Sequence, residues 1–218
     1  MRGLSIADLW LILGAIRWTA ALAVTAFAIG AVIGLGVAVA RTSQLTWLRV
    51  LARVYVELVQ GTPLLGVLFL LYFGVPMLLG IEIKAFTAAA AAFSLSAGAF
   101  LGDIWRGAIE SVPKGQWEAA SCVGLRRWHV MRHVVWPQAF RVALGPTVSY
   151  LVQLIKNTSL AALVGLVELT RSGQIVAGST LAHLPVFCGV ALCYFAICYP
   201  LARLALNLEG RMNAARAH

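Results

Sequence analysis

Gln153, Lys156, Asn157 and Thr158 stand close together inside an otherwise apolar run, LGPTVSYLVQLIKNTSLAALVG, residues 144–165. An ammonium beside amide and hydroxyl groups can hold a carboxylate and hydrogen-bond the rest of a small polar solute. Lys156 falls about 15 residues into a candidate membrane span, where an uncompensated charge costs at least roughly 2.5–3.5 kcal/mol on insertion scales. Such a lysine either faces a polar path together with its neighbours, or snorkels to the interface or pairs structurally, with Glu57 as one available carboxylate. Glu57 itself also has an ordinary reading, an interface pair with Arg53 one helical turn earlier.

Other residues could do chemistry in principle. His129 and His133 have the i, i+4 spacing of a metal pair, but no carboxylate or cysteine completes a site, so they read as part of a solvated basic face. Ser94 and Ser96 lie in an alanine-rich run with no histidine or lysine placed to activate them, which leaves an intramembrane enzyme without its catalytic pair. Cys188, Cys193 and Cys198 recur in an apolar helix as small hydrophobes, and Cys122 stands alone. No metal site and no catalytic residue is expected.

The elements that position these residues belong to a membrane. Of 218 residues 61% are hydrophobic and 11% charged, with a mean hydropathy of +0.88. Soluble domains carry about a quarter charged residues. A span takes roughly 20 apolar residues, and five such stretches are expected at about 18–40, 56–79, 85–105, 140–164 and 182–206. The fold class is therefore all-α and membrane-embedded, one domain over 1–218. Residues 6–17, ending in Arg17-Trp18, suit a short interfacial helix. Ala38-Val39-Ala40 has the form of a cleavage site, but the apolar run before it is too long for a signal peptide and reads as a retained helix. Gly30-x-x-x-Gly34 places two small residues on one face for close helix contact, and Thr62-Pro63 is a candidate kink.

A net charge of +9 raises nucleic acid as a partner, but its distribution argues otherwise. Twelve of the 17 lysines and arginines fall in three clusters: Arg41 to Arg53, Arg106 to Arg141, and Arg203 to Arg216. That is the positive-inside bias, which puts these clusters and the C-terminus in the cytoplasm and the N-terminus outside.

The middle cluster contains EAASCVGLRRWHVMRHVVWP, residues 118–137, with three arginines and two histidines among its hydrophobes. Pro113 can open a short helix, and Glu118 falls toward its positive end. Trp117, Ala120, Ser121 and Gly124 share one face. Ala119 and Ala120 let another surface approach closely, and Gly124 suits a left-handed C-terminal cap. A second helix is expected over 126–135, stopping at Pro137. The first helix, about 12 Å long, cannot span a membrane. It can serve as a rigid knob.

Glu118-Ala119-Ala120, then Gly124, then Val134-Val135-Trp136-Pro137 resembles the EAA loop, here about 110–138, of the membrane subunits of bacterial ABC importers. Val134 and Trp136 depart from that family's form and keep the positions apolar. YVELVQGTPLLGVLFLLYFGVP (55–76), FLGDIWRGAIESVPKGQWEAA (100–120) and LIKNTSLAALVGLVELTRSGQ (154–174) look like the polar amino acid uptake subfamily, with Gln60 and Asp103 as departures. The resemblance implies a type I importer permease that couples to a separate ATPase through Glu118, Ala119, Ala120, Gly124 and Pro137. It also implies two ATPase copies, a second permease subunit (identical or paralogous) and a periplasmic amino acid-binding protein in the bacterial inner membrane. A G-x-x-x-x-G-K-[ST] phosphate loop is absent from the sequence, so ATP and Mg are expected in the partner and no cofactor on this chain. The competing expectation is a channel or secondary transporter for small polar solutes working alone.

Overall fold

The computed structural model describes residues 4–216. The side chains of Arg211 and of residues 213–216, and with them part of the expected basic tail, lie outside the described residues. The described chain is helical throughout, joined by short turns. Helix α1 runs Ile6–Thr42, α2 Thr46–Gly61, α3 Leu64–Leu79, α4 Ala85–Glu110, α5 Lys114–Cys122, α6 Arg127–Val164, α7 Leu169–Thr180 and α8 His183–Arg216. Three of these are long and apolar enough to cross a bilayer: α1, α4 and α8. There are up to five spans if the bent pairs α2–α3 and α6–α7 each count as one.

Several boundaries differ from the sequence expectation, each for a local reason. The interfacial helix over 6–17 is not a separate element, because it continues without a break into the first span as α1. No proline or turn signal interrupts the run, and hydrogen bonding propagates once a helix has nucleated. Between the expected spans 18–40 and 56–79, the basic segment is not a long loop: only residues 43–45 lie outside helix, and α2 begins at Thr46.

The expected second span breaks at Thr62-Pro63, where α2 and α3 meet at 99°. Proline removes a backbone donor. The Thr62 hydroxyl donates instead to the Leu58 carbonyl at 2.7 Å and closes the end of α2.

Pro137 does not stop a helix. α6 passes through it on a π-helical turn, Met131–Val135, and the Trp136 N–H donates to the Met131 carbonyl five residues back. The wider turn makes room for a residue with no N–H, and the Gln138 side chain donates to the Val134 carbonyl at 2.8 Å. Pro146 also lies inside α6 without ending it. Residues 158–164 tighten into a 3-10 turn that Gly165 closes at φ +84°.

The core is organised around α1 and α4. Gly30 and Gly34 meet a second small-residue pair, Gly98 and Gly102. A Cβ on Gly98 would lie 2.5 Å from Ile33 Cγ2, one on Gly102 2.5 Å from Val37 Cγ1, and one on Gly34 2.9 Å from Leu101 Cβ. Side chains of one helix thus sit directly on the glycine backbone of the other, as close association in lipid requires. Phe93, Leu101, Leu22, Leu68 and Leu154 fill the centre, joining α1, α3, α4 and α6.

Candidate functional site

The loop between α4 and α6 carries the clearest built feature. Pro113 caps α5 in extended conformation, and its carbonyl accepts from the Gln116 N–H at 3.0 Å. At the other end Gly124 adopts φ +76°. The Gly124 N–H then reaches the Ser121 carbonyl at 3.0 Å and the Leu125 N–H reaches the Ala120 carbonyl at 3.3 Å. This pair of reversed bonds satisfies the last carbonyls of the helix and needs the left-handed residue that glycine supplies at least cost. Nine residues at 1.5 Å each make α5 about 13 Å long.

The orientation of α5 corrects one expectation. Ala120 is buried and Trp117 half-buried, both packed on Ala108, Ile109 and Val112 at the end of α4 and on Val130 and Val135 in α6. Ala120 therefore seats the knob on the bundle and does not face outward. Glu118, Ala119, Cys122 and Gly124 are exposed. Beyond them Val123 and Trp128 are 76% and 66% exposed. Pro137 is exposed too, but it belongs to α6 and not to the knob. The rings of His129 and His133 stack 6.0 Å apart on the exposed side of α6.

At the root of the loop, charged groups join. Asp103 Oδ1 accepts from Arg41 Nη1 at 2.6 Å and from Arg106 Nε and Nη2 at 3.1 and 3.0 Å. Arg106 Nη1 also pairs with Glu110. Asp103 and Arg106 are three residues apart on one helix, whereas Arg41 lies 62 residues from Asp103 in the sequence.

The polar track of α6 is only partly assembled. Lys156 is exposed in a groove of about 510 Å³ between α6 and α8, lined also by Ser159, Tyr194, Phe195, Cys198 and Tyr199. Gln153 is exposed and its Nε2 donates to Asn157 Oδ1 at 3.1 Å. Thr158 is fully buried, and its hydroxyl donates to the Ile155 carbonyl at 2.7 Å. The chain turns into the 3-10 segment there. Glu57 is exposed on α2 and is absent from the groove lining. The ion pairs among the described residues include neither Glu57 with Arg53 nor Glu57 with Lys156. A second groove of about 390 Å³, between α1, α4 and α6, is almost wholly apolar, with Trp105, Trp136 and Phe140 on its walls.

Composition singled out no role for Glu168, which the fold buries completely at 0% exposure. It caps α7, accepting from the Thr170 and Arg171 N–H groups at 2.9 and 2.8 Å, and from the Tyr194 hydroxyl at 2.9 Å. Beside it the Leu169 N–H donates to Thr19 Oγ1 at 3.1 Å. One carboxylate thus ties α7 to α8, with α1 alongside. A carboxylate just before a helix was the available signal.

Long apolar helices, with a short capped helix seated at one end of the bundle, define an all-α membrane-embedded protein. The chain belongs to the family of binding-protein-dependent transport system inner membrane components, whose model matches residues 30–214. It is 46% identical over 169 residues to the probable amino-acid ABC transporter permease protein YckA of Bacillus subtilis, covering 78% of this chain and 74% of that one. It is 37% identical to the L-cystine transport system permease protein TcyB of the same organism, covering 94% and 88%. With the glutamine transport system permease protein GlnP of Escherichia coli K12 it shares 35% identity, covering 90% of each. A crystal structure of an amino acid ABC transporter with histidines superposes with a TM-score of 0.88 at 28% identity, covering 96% of this chain and 100% of that one. Inward-facing MetNI methionine ABC transporter, at 20% identity and a TM-score of 0.80 over 96% and 99% of the two chains, shares the fold.

Proposed function

We propose that this chain is the transmembrane subunit of an ATP-driven importer for polar amino acids, and that a separate ATPase drives it through α5. The observation that carries this reading is the geometry of α5. It is too short to span, is closed at both ends, and is seated by Trp117 and Ala120 with Glu118, Ala119 and Cys122 turned outward. A channel or secondary transporter acting alone has no use for such an element. Relatives named for glutamine and cystine support the solute class.

The assembly holds two ATPase copies, which bind ATP and Mg, and a second permease subunit, identical or paralogous. A periplasmic amino acid-binding protein delivers the solute. The clustering of basic residues supports a cytoplasmic loop and C-terminus with the N-terminus outside. Lys156, with Gln153 and Asn157 nearby on α6, lines the solute path, where an unpaired ammonium beside amides meets the carboxylate of a zwitterion.

The test joins crosslinking to transport. A thiol-specific crosslinker on exposed Cys122 captures the ATPase subunit. Gly124→Asp, which adds a carboxylate to the exposed end of α5 at φ +76°, leaves ATP hydrolysis running while uptake fails. Normal uptake by a well-expressed Gly124→Asp variant, or a crosslinker that never reaches an ATPase, refutes the reading.

A further inference from the structure

The charged contacts at the root of the loop close a circuit. The chain leaves α4 at Glu110, passes through α5 and enters α6 at Arg127. Arg127 Nη2 then reaches back to the Thr42 carbonyl at the end of α1, at 3.4 Å. The residue before Thr42 is Arg41, which donates to Asp103 of α4. Arg106 grips the same Asp103 oxygen and passes on to Glu110, where the circuit began.

These contacts clasp the ends of α1 and α4 where the loop begins. The glycine-to-side-chain packing that interlocks α1 with α4 involves Gly30, Gly34, Gly98 and Gly102 and does not extend to the last turns of the two helices. Charge-assisted bonds are directional and fix where one helix stands along another. Three guanidinium N–H groups converge on one Asp103 oxygen, and the Arg41 side chain is only 14% exposed. The Asp103 carboxylate between them is 37% exposed.

We propose that the Arg41–Asp103–Arg106 chain is the linkage that makes α1 and α4 move as one body when α5 is displaced, with Asp103 its positioning residue. This rests on the reading of α5 as the driven element. With Asp103 present, a pull on the end of α4 is shared by α1. Without it, the ends of α1 and α4 beyond the glycine contacts part, and hydrolysis continues without moving solute.

The experiment uses the full assembly, with its own ATPase and binding protein, in proteoliposomes. Uptake of radiolabelled L-glutamine, L-cystine or L-histidine, whichever the binding protein carries, is measured alongside ATP hydrolysis. Asp103→Asn lowers solute moved per ATP roughly tenfold while hydrolysis and assembly persist, and Asp103→Glu retains the wild-type ratio. Arg41→Gln reproduces the Asp103→Asn defect, and the double variant is no worse than either single one, since both break the same link. An Asp103→Asn ratio within about twofold of wild type, or single defects that multiply in the double variant, overturns the linkage. Loss of assembly in Asp103→Asn also overturns it, by making Asp103 a folding residue. A wild-type assembly that takes up nothing with ATP defeats the functional reading and the linkage together, and is told apart by the wild-type control.

Discussion

Replacing Glu168 by alanine removes a buried carboxylate that serves three donors at once. Loss of an N-terminal cap costs about 0.5–2 kcal/mol. A buried donor stripped of its partner adds about 1–3 kcal/mol, and the Tyr194 hydroxyl, which donates to Glu168 at 2.9 Å, is such a group. Part of that second cost is recovered because Tyr194 can turn to Thr170 Oγ1, 3.1 Å away. The net destabilisation is about 2–4 kcal/mol. For a domain of this size that is a fall in melting temperature of roughly 5–15 °C.

The assay is thermal unfolding of the purified protein in detergent, followed by loss of the monodisperse peak on size exclusion. Glu168→Gln keeps the shape and one acceptor oxygen, and falls between wild type and alanine. Thr19→Val removes only the acceptor of the Leu169 N–H and costs about 1 kcal/mol. A Glu168→Ala protein melting within about 2 °C of wild type would falsify the view that this carboxylate holds α7 in place.

Three further outcomes are expected. Gly98→Val drives a side chain into Ile33 and toward the Tyr55 hydroxyl, which lies 2.9 Å from the added Cβ. It destabilises by about 3 kcal/mol or more, while Gly107→Ala, facing open space on the same helix, is neutral or mildly stabilising in the same melting assay. Lys156→Ala leaves the melting temperature and the binding protein's stimulation of ATP hydrolysis near wild type but lowers uptake. Unchanged uptake assigns Lys156 a structural role. A membrane-impermeant maleimide modifies exposed Cys122 in inverted vesicles but not in right-side-out ones, and buried Cys198 in neither, as mass spectrometry of the peptides reports.

Features caused within a few residues were legible in the sequence. Gly124 takes the left-handed conformation of a cap because the helix must end there, and Thr62-Pro63 bends the chain because a donor is missing. Pro137 was misjudged for a related reason. A proline ends a helix only if the preceding turn stays α, and the π-helical turn at Met131–Val135 absorbs it. Ala120 and Thr158 were assigned outward roles from residue type and spacing. Periodicity shows which residues share a face but not which way that face points, and both proved buried.

The sequence alone determined that this is a helical membrane protein with a short capped helix on a basic loop. Apolar length, proline and glycine act through hydration and backbone dihedrals, which a residue and its near neighbours suffice to specify. Only the tertiary structure decided that Gly98 and Gly102 receive α1, that Arg41 reaches Asp103, and that Thr19 accepts from Leu169 across 150 residues. Such partners are chosen by the mutual burial of whole helix faces. That depends on every other helix competing for the same surface, so no local stretch of chain contains it.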